Sequence, residues 1–376
     1  MNQEYQQCQR CIMDTSDEDI TFDENGICRH CQSFDEEKEY RLFSKEEGQK
    51  ALDKLVASIK SAGNGKDYDC IVGVSGGVDS TYVAYLAKKL GLRPLAIHFD
   101  NGWNSELAVS NIEKVLKKLD IDLYTYVIHW EEFRSLQLSF LKNSTPDGEI
   151  PTDHAINALL FQEANKRGIK YIINGMNFRT EQQSNLNKWA YGHADWKYIR
   201  SVHRIFGGKR LKHYPHYSLL STFWYLMVKR IKLVSILNYI EFNKAEAMEL
   251  LQNELDWVYY GGKHYESVYT RFYQAYILPR KFNVDKRLIH YSSLIRCGQM
   301  TREDALEQMK APLYDPQLEK EDKAFVMKKL KLDEQQFDEI MAAPTKYYYE
   351  YPNNANKVKK LKSILNFFRK KGIMSK

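Results

Sequence analysis

The stretch Ile71-Val72-Gly73-Val74-Ser75-Gly76-Gly77-Val78-Asp79-Ser80 constrains this chain more than any other. From Cys70 to Val74 it is apolar and β-branched, the pattern of a buried parallel strand. Ser75, Gly76 and Gly77 then let the backbone turn sharply and approach a ligand with no Cβ in the way. The run from Thr81 to Leu90 reads as a helix whose free N–H groups and positive dipole end face back onto that turn. Strand, glycine turn and helix start together make an anion site suited to phosphate. It is not a Walker loop, because no Lys follows the glycines. A carboxylate at Asp79 would repel a polyphosphate unless a cation intervened.

Ser-Gly-Gly-Val-Asp-Ser resembles the PP-loop of the N-type ATP pyrophosphatases. That superfamily cleaves ATP between the α and β phosphates and uses AMP to activate an oxygen. The resemblance implies ATP and Mg²⁺. It places Ser75, Gly77 and Ser80 around pyrophosphate, with Val74 and Gly76 in the same ATP-binding loop, and gives Asp79 the Mg²⁺ or the orientation of the phosphates. An ordinary glycine turn before a helix is the plain alternative.

Further strands follow at Arg93–Asp100, Leu123–Ile128 and Lys170–Gly175, with a last short one expected at Ile240-Glu241-Phe242. Helices are expected at Asn104–Leu119, at His154–Arg167 capped by Thr152-Asp153, and at Lys244–Leu255. Strand and helix alternate, which argues for an α/β fold with a parallel doubly wound sheet of the adenine nucleotide α-hydrolase kind. Ligands of such sheets sit at the carboxyl ends of the strands. His98 and Gly175 lie there and are assigned to the nucleotide, His98 having a plain strand residue as its alternative. Arg179 and Glu181 are placed near a second substrate, or else on a solvated loop.

Cys8-Gln9-Arg10-Cys11 and Cys28-Arg29-His30-Cys31 are two C-x-x-C knuckles separated by sixteen residues, the spacing of a four-thiolate zinc site. The segment Ile20–Cys28 between them reads as strand, turn, strand. Zn²⁺ held by Cys8, Cys11, Cys28 and Cys31 is expected to be structural, since four thiolates leave no open coordination position. An iron–sulfur cluster is the alternative, disulfides are disfavoured, and His30 is read as a bystander. The expected division is a ribbon at 1–40, a PP-loop domain at 41–255 and a helical substrate or partner region at 256–376.

At 376 residues and a net charge of +6 the chain has room for two domains and a mild preference for anionic ligands. No signal peptide is apparent, and a cytoplasmic location is expected. The longest apolar run, Leu219–Val228, is too short to span a bilayer and is read as a buried core helix. The basic tail from Lys357 to Lys376 is read as a solvated amphipathic helix, with a membrane surface or an acidic partner as the alternative.

A second glycine pair lies in Gly261-Gly262-Lys263-His264-Tyr265-Glu266-Ser267. Lys263 is the candidate cation for the leaving pyrophosphate. Ribbon, PP-loop and this motif occur in one order with Asp285-Lys286-Arg287, Ser292-Ser293-Leu294-Ile295 and Thr301–Leu306. The order resembles the N-acetyl sugar amidotransferase family along nearly the whole chain. What the resemblance implies is conversion of an acetamido group on a bacterial surface sugar, free or nucleotide-linked, to an acetamidino group. Neither Cys70 nor Cys297 has a nucleophile-elbow setting, so the chain is read as lacking a glutaminase; the resemblance implies that a separate glutaminase with a cyclase-like barrel subunit delivers ammonia. No nucleic acid partner is expected. A tRNA-modifying enzyme of the same loop class, or a non-catalytic nucleotide-binding zinc scaffold, are the competing readings.

Overall fold

The computed structural model describes residues 4–181, 192–262 and 265–360. Five strands, β1 (Cys70–Val74), β2 (Pro94–Asp100), β3 (Leu123–Val127), β4 (Tyr171–Asn174) and β5 (Lys232–Ser235), form one sheet in the order β3-β2-β1-β4-β5. Every pairing is parallel, with Cys70 opposite Pro94, Ile71 opposite Ile172, Ala96 opposite Leu123 and Tyr171 opposite Lys232. The chain steps outward from β1 to β3 and then returns to the far side of β1 for β4. That reversal opens a crevice at the carboxyl ends of β1 and β4.

Alternation along β1 assigns its side chains to two layers. Cys70, Val72 and Val74 face one core, filled by Leu52, Val56 and Ile59 of helix Lys45–Ala62, by Val83 and Ala84 of helix Val78–Lys89, and by Leu251 and Leu255. Ile71 faces the other, where Phe133, Leu136 and Phe140 of helix Trp130–Lys142 meet Leu159 and the C-terminal residues Tyr269, Phe272, Val326 and Phe337. Each such side chain, fully withdrawn from water, contributes roughly 1.5–3 kcal/mol before entropy is charged against it. The C-terminal helices thus share a core with the sheet. They begin on Ser267, Asp285, Thr301, Asp315 and Asp333, whose side chains each accept an N–H from the first turn.

Several elements differ from the sequence expectations. The last strand lies at Lys232–Ser235, and residues 240–242 follow a 3₁₀ turn instead. Its short, half-exposed edge carries too little alternation to be read. The helix expected from His154 begins at Ile150, because Pro151 fits the first turn, where no N–H is needed. Helix Trp130–Lys142 was not anticipated. Between the cysteine pairs only a single antiparallel bridge forms, Phe22 with Cys28. Leu219–Val228 is helical but not a core helix, as none of its residues is buried. Among the described residues no helix is long and apolar enough to cross a membrane.

Candidate functional site

β1 ends at Val74, and the loop Ser75-Gly76-Gly77 delivers the chain into helix Val78–Lys89. Gly76 sits at φ +82°, and a Cβ there would lie 2.7 Å from the Ala108 carbonyl oxygen, so only glycine fits. The two serines close the loop. The Ser80 hydroxyl accepts from the Ser75 amide (3.2 Å) and lies 3.1 Å from the Ser75 hydroxyl, which in turn accepts from the Gly77 amide (3.3 Å). Gly175, just beyond β4, abuts the first turn of the helix, where an added Cβ would stand 3.0 Å from the Ser80 amide nitrogen. The two central strands therefore converge on one point.

His98 latches β2 to this loop. Its Nε2 lies 3.1 Å from the Asn104 amide, and its Nδ1 lies 3.0 Å from the Val74 carbonyl oxygen. With Asn104 donating, Nδ1 carries the proton and donates to Val74, so both ring nitrogens are committed within the protein.

A cavity of about 170 Å³ opens here, lined by Ser75, Gly77, Val78, Asp79, Ser80, Gly175, Glu181, Lys244, Tyr260 and Glu266. Lys244, at the start of helix Lys244–Leu255, holds its ammonium 3.7 Å from the Asp79 carboxylate. The sequence pattern marked that helix only as plain, and nothing local distinguishes this lysine. Lys263 lies outside the described residues. Glu181 lines the cavity, whereas Arg179 is not part of its wall and instead acts electrostatically on Cys297. The carboxylates of Asp79, Glu181 and Glu266 with one ammonium are a donor set that fits a hard divalent cation carried with a polyphosphate.

The second glycine motif is pinned at both ends. Asn111, fully buried in helix Glu106–Leu119, pairs with the backbone of Val258 in both directions at 2.8 and 2.9 Å. The Ser105 amide donates to Glu266 (2.8 Å) and the Val268 amide to Trp103 (2.9 Å). Residues 258–262 and 265–268 are therefore fastened to the walls beside the loop, with Tyr260 and Glu266 lining the cavity.

Beyond Glu266 lie carboxyls that the sequence did not single out. Glu149 accepts from the Thr270 hydroxyl at 2.8 Å. Burial, reinforced by Asp153, Asp147 and Glu266, pushes Glu149 up to about 8. Burial and Asp147 push Asp153 up to about 7, against the pull of Lys286. Asp153 is nevertheless exposed at the surface, so water weakens that effect on it.

The four ribbon thiols are fully buried and lie within 4.8 Å of one another. Cys8 and Cys31 sulfurs are 3.9 Å apart, those of Cys11 and Cys28 3.6 Å. A tetrahedral ion with metal–sulfur bonds of about 2.3 Å requires edges of about 3.8 Å, so the cage fits one zinc ion. Disulfides are ruled out by those separations, and a cluster of several irons would spread the thiolates wider. The amides of Arg10, Cys11 and Cys28 all donate to the Cys8 sulfur at 3.3–3.4 Å. His30 is not a ligand, since its Nε2 meets Asp17 at 2.7 Å. The module docks on the C-terminal region through Ile12, Ile20, Leu288, Ile289 and Ala305. The Arg302 guanidinium donates to the carbonyls of Cys8 and Cys11, both at 3.2 Å. The motifs at 285–306 thus serve, at least in part, to seat the ribbon.

Comparison with known families gives two matches. Residues 69–176 match the queuosine biosynthesis protein QueC family, and residues 266–365 match the C-terminal domain of the LPS biosynthesis protein WbpG-like family. The parallel sheet, the loop and the first match together support a PP-loop fold of the ATP-using kind. The second match adds that the C-terminal region of the chain is similar to the WbpG-like C-terminal domain. No curated protein matches it. Among solved structures it is similar to a chain described as a predicted subunit of tRNA methyltransferase from Methanocaldococcus jannaschii, at 17% identity and a TM-score of 0.30, over 49% of this chain and 73% of that one. That likeness is too slight to carry further meaning.

Proposed function

We propose that this protein is an ATP-dependent amidotransferase that converts an acetamido group of a bacterial surface sugar to an acetamidino group. The observation that carries the reading is the cavity at the phosphate loop, whose wall includes Glu266, the residue at which the WbpG-like match begins.

Amide oxygen is a poor leaving group, so it must be activated before ammonia can replace it. The acetamido oxygen attacks the α-phosphorus of ATP, the α–β bridging bond breaks, and pyrophosphate leaves. The amides and hydroxyls of Ser75, Gly77 and Ser80, with the Lys244 ammonium, stabilise the charge on that leaving group. Mg²⁺, where bound, is held by Asp79 with Glu181 and Glu266 and neutralises phosphate charge. Ammonia then adds at the activated carbon, a proton is lost, and AMP departs with the former amide oxygen. Glu149, a buried carboxyl raised to about 8 and linked electrostatically to Glu266 of the cavity wall, is suited to receive that proton. Much of the rate comes from aligning sugar oxygen and phosphorus.

Ammonia is supplied from outside this chain. Cys70 is fully buried and burial pushes its thiol up, as it does for Cys297. A glutaminase working with a cyclase-like barrel subunit fits that need. The zinc ribbon is structural, and the reaction takes place in the soluble phase of the cell.

The test is incubation with ATP, Mg²⁺, ammonium and a panel of UDP- and CMP-linked acetamido sugars, following AMP, pyrophosphate and product mass. Sugar-dependent AMP release with replacement of one oxygen by NH is the expected result. AMP release stimulated by tRNA and by no sugar would sink the proposal in favour of base modification.

A further inference from the structure

The helix Leu219–Val228 presents an apolar surface that nothing in the described residues covers. Leu220 is 82% exposed, Phe223 60%, Met227 54% and Trp224 47%, and Leu219, Leu226 and Val228 are exposed as well. The segment is α-helical to Phe223 and a π-turn from Trp224 to Val228. At about 90–100° per residue these side chains spread over an arc of roughly 180–200°, far wider than the stripe a helix shows to a protein core. Tyr225 points the other way and anchors the helix, stacking on Phe161 at 5.5 Å with the rings nearly parallel. The exposed residues sum to several hundred Å² in one patch, the size at which an apolar surface marks a contact.

The chain on either side of this helix carries charge of one sign. Residues 196–240 contain nine Lys and Arg and no Asp or Glu. Lys229, Arg230 and Lys232 follow the apolar helix directly, the Lys229 ammonium lies 5.3 Å from the centre of the Trp224 ring, and Lys170 donates to the Lys229 carbonyl at 2.8 Å. A groove of about 590 Å³ runs beside the patch, lined by Leu226, Ile231, Leu233, Val234, Leu55 and Tyr239 among others.

We propose that this face docks on an anionic lipid bilayer, with the helix lying in the interface. Leu220, Phe223, Trp224 and Met227 reach the acyl region, and the basic residues meet the headgroups. Wide apolar arc, interfacial Trp and a basic flank are what such a surface selects. A second copy of this chain does not fit, because an isologous contact would set the same cations against each other. The segment 361–376 is a poor occupant for the same reason, carrying five Lys and Arg and no carboxylate. The patch lies at the amino ends of β4 and β5, as the contact between Lys170 and Lys229 shows. The phosphate loop is at the carboxyl ends, about 15 Å away along the strands. Docking therefore leaves the nucleotide cleft open to the aqueous phase. The inference stands apart from the proposed reaction.

The experiment is co-sedimentation of the full chain with sucrose-loaded vesicles of phosphatidylcholine, alone or with about 30 mol% phosphatidylglycerol. Pelleting with the anionic vesicles, weakened by salt, is expected. The triple substitution Leu220→Ser, Phe223→Ser, Met227→Ser should cut it about tenfold or more. All three side chains are more than half exposed, so the variant should melt as the parent does. The proposal is overturned if the parent stays in the supernatant at every lipid composition, or if the triple variant pellets equally well. It is also overturned if the parent ignores vesicles but self-associates, or binds an acidic protein, through a contact the same substitutions abolish.

Discussion

The indole N–H of Trp257 donates to the carbonyl of Gly76 over 2.9 Å, so a residue 181 positions later in the chain holds the phosphate loop in place. Trp257 is almost wholly buried against helix Val78–Lys89 and its neighbours, and the bond is shielded from water. Trp257→Phe keeps most of the packing and leaves the Gly76 carbonyl without this partner. We expect a loss of about 1–2 kcal/mol in stability and a several-fold rise in KM for ATP with a smaller change in kcat. A KM that does not move would mean the loop holds its shape without this bond.

Gly76→Ala should be harsher. The substitution asks a residue with a Cβ to adopt φ +82° and to press on the Ala108 carbonyl oxygen. The expected cost is about 2 kcal/mol or more, with ATP-dependent activity falling at least about a hundredfold by the same displacement. Thermal melting and AMP release measure the two effects separately.

Lys244→Ala removes the ammonium beside Asp79. In the proposed reaction that charge would face the departing pyrophosphate, so kcat should fall about 10²-fold, with melting temperature within a degree or two of the parent. Lys244→Arg should recover part of the rate. A kcat within twofold of the parent in the alanine variant would remove Lys244 from the reaction.

Glu149 binds its proton more tightly in the folded chain than in the unfolded one, because burial raises it to about 8. From about pH 4.5 to pH 8 the folded state therefore holds the extra proton, and stability from this group declines as pH rises through that window. Glu149→Gln should flatten the fall in melting temperature between about pH 5 and pH 8, and at pH 8 should melt above the parent. Scanning fluorimetry across that range decides it, and an unchanged slope would contradict the burial of this carboxyl.

Metal analysis should find one zinc per chain. Cys11→Ser should lose it and melt well below the parent, since the ribbon folds around its ion. The damage should reach the C-terminal helices, because Arg302 holds two ribbon carbonyls. Hydrogen exchange over residues 286–309 should speed up in that variant. Protection confined to the parent's level there would show the helices to be independent of the ribbon.

Much of this was legible in local chemistry. The loop from Ser75 to Ser80 and the cysteine knuckles announce themselves because each function needs particular residue types at fixed spacing. β1, β2 and β3 were readable because buried parallel strands are continuous apolar runs. β5 was not, since a four-residue edge strand has one buried side chain and no pattern. Lys244, Glu149 and Asp153 were invisible for another reason. Their significance comes from which distant elements surround them, and no window of sequence contains that. The helix at Leu219–Val228 misled because hydrophobicity alone does not say whether a side chain faces a core or an outer surface.

The Ile12 amide donates to the Ser292 hydroxyl, and Arg302 reaches the Cys8 carbonyl 294 residues back. During synthesis the ribbon emerges long before the whole of its seat. At about 5–20 residues per second, the knuckles wait roughly 15–60 s on the ribosome before their platform appears. A nascent chain in that interval carries a capped metal and an undocked apolar face made of Ile12, Met13 and Ile20. Zinc loading can therefore precede completion of the enzyme, and a ribosome stalled before residue 302 would release a metal-bound but unseated fragment for chaperones to hold.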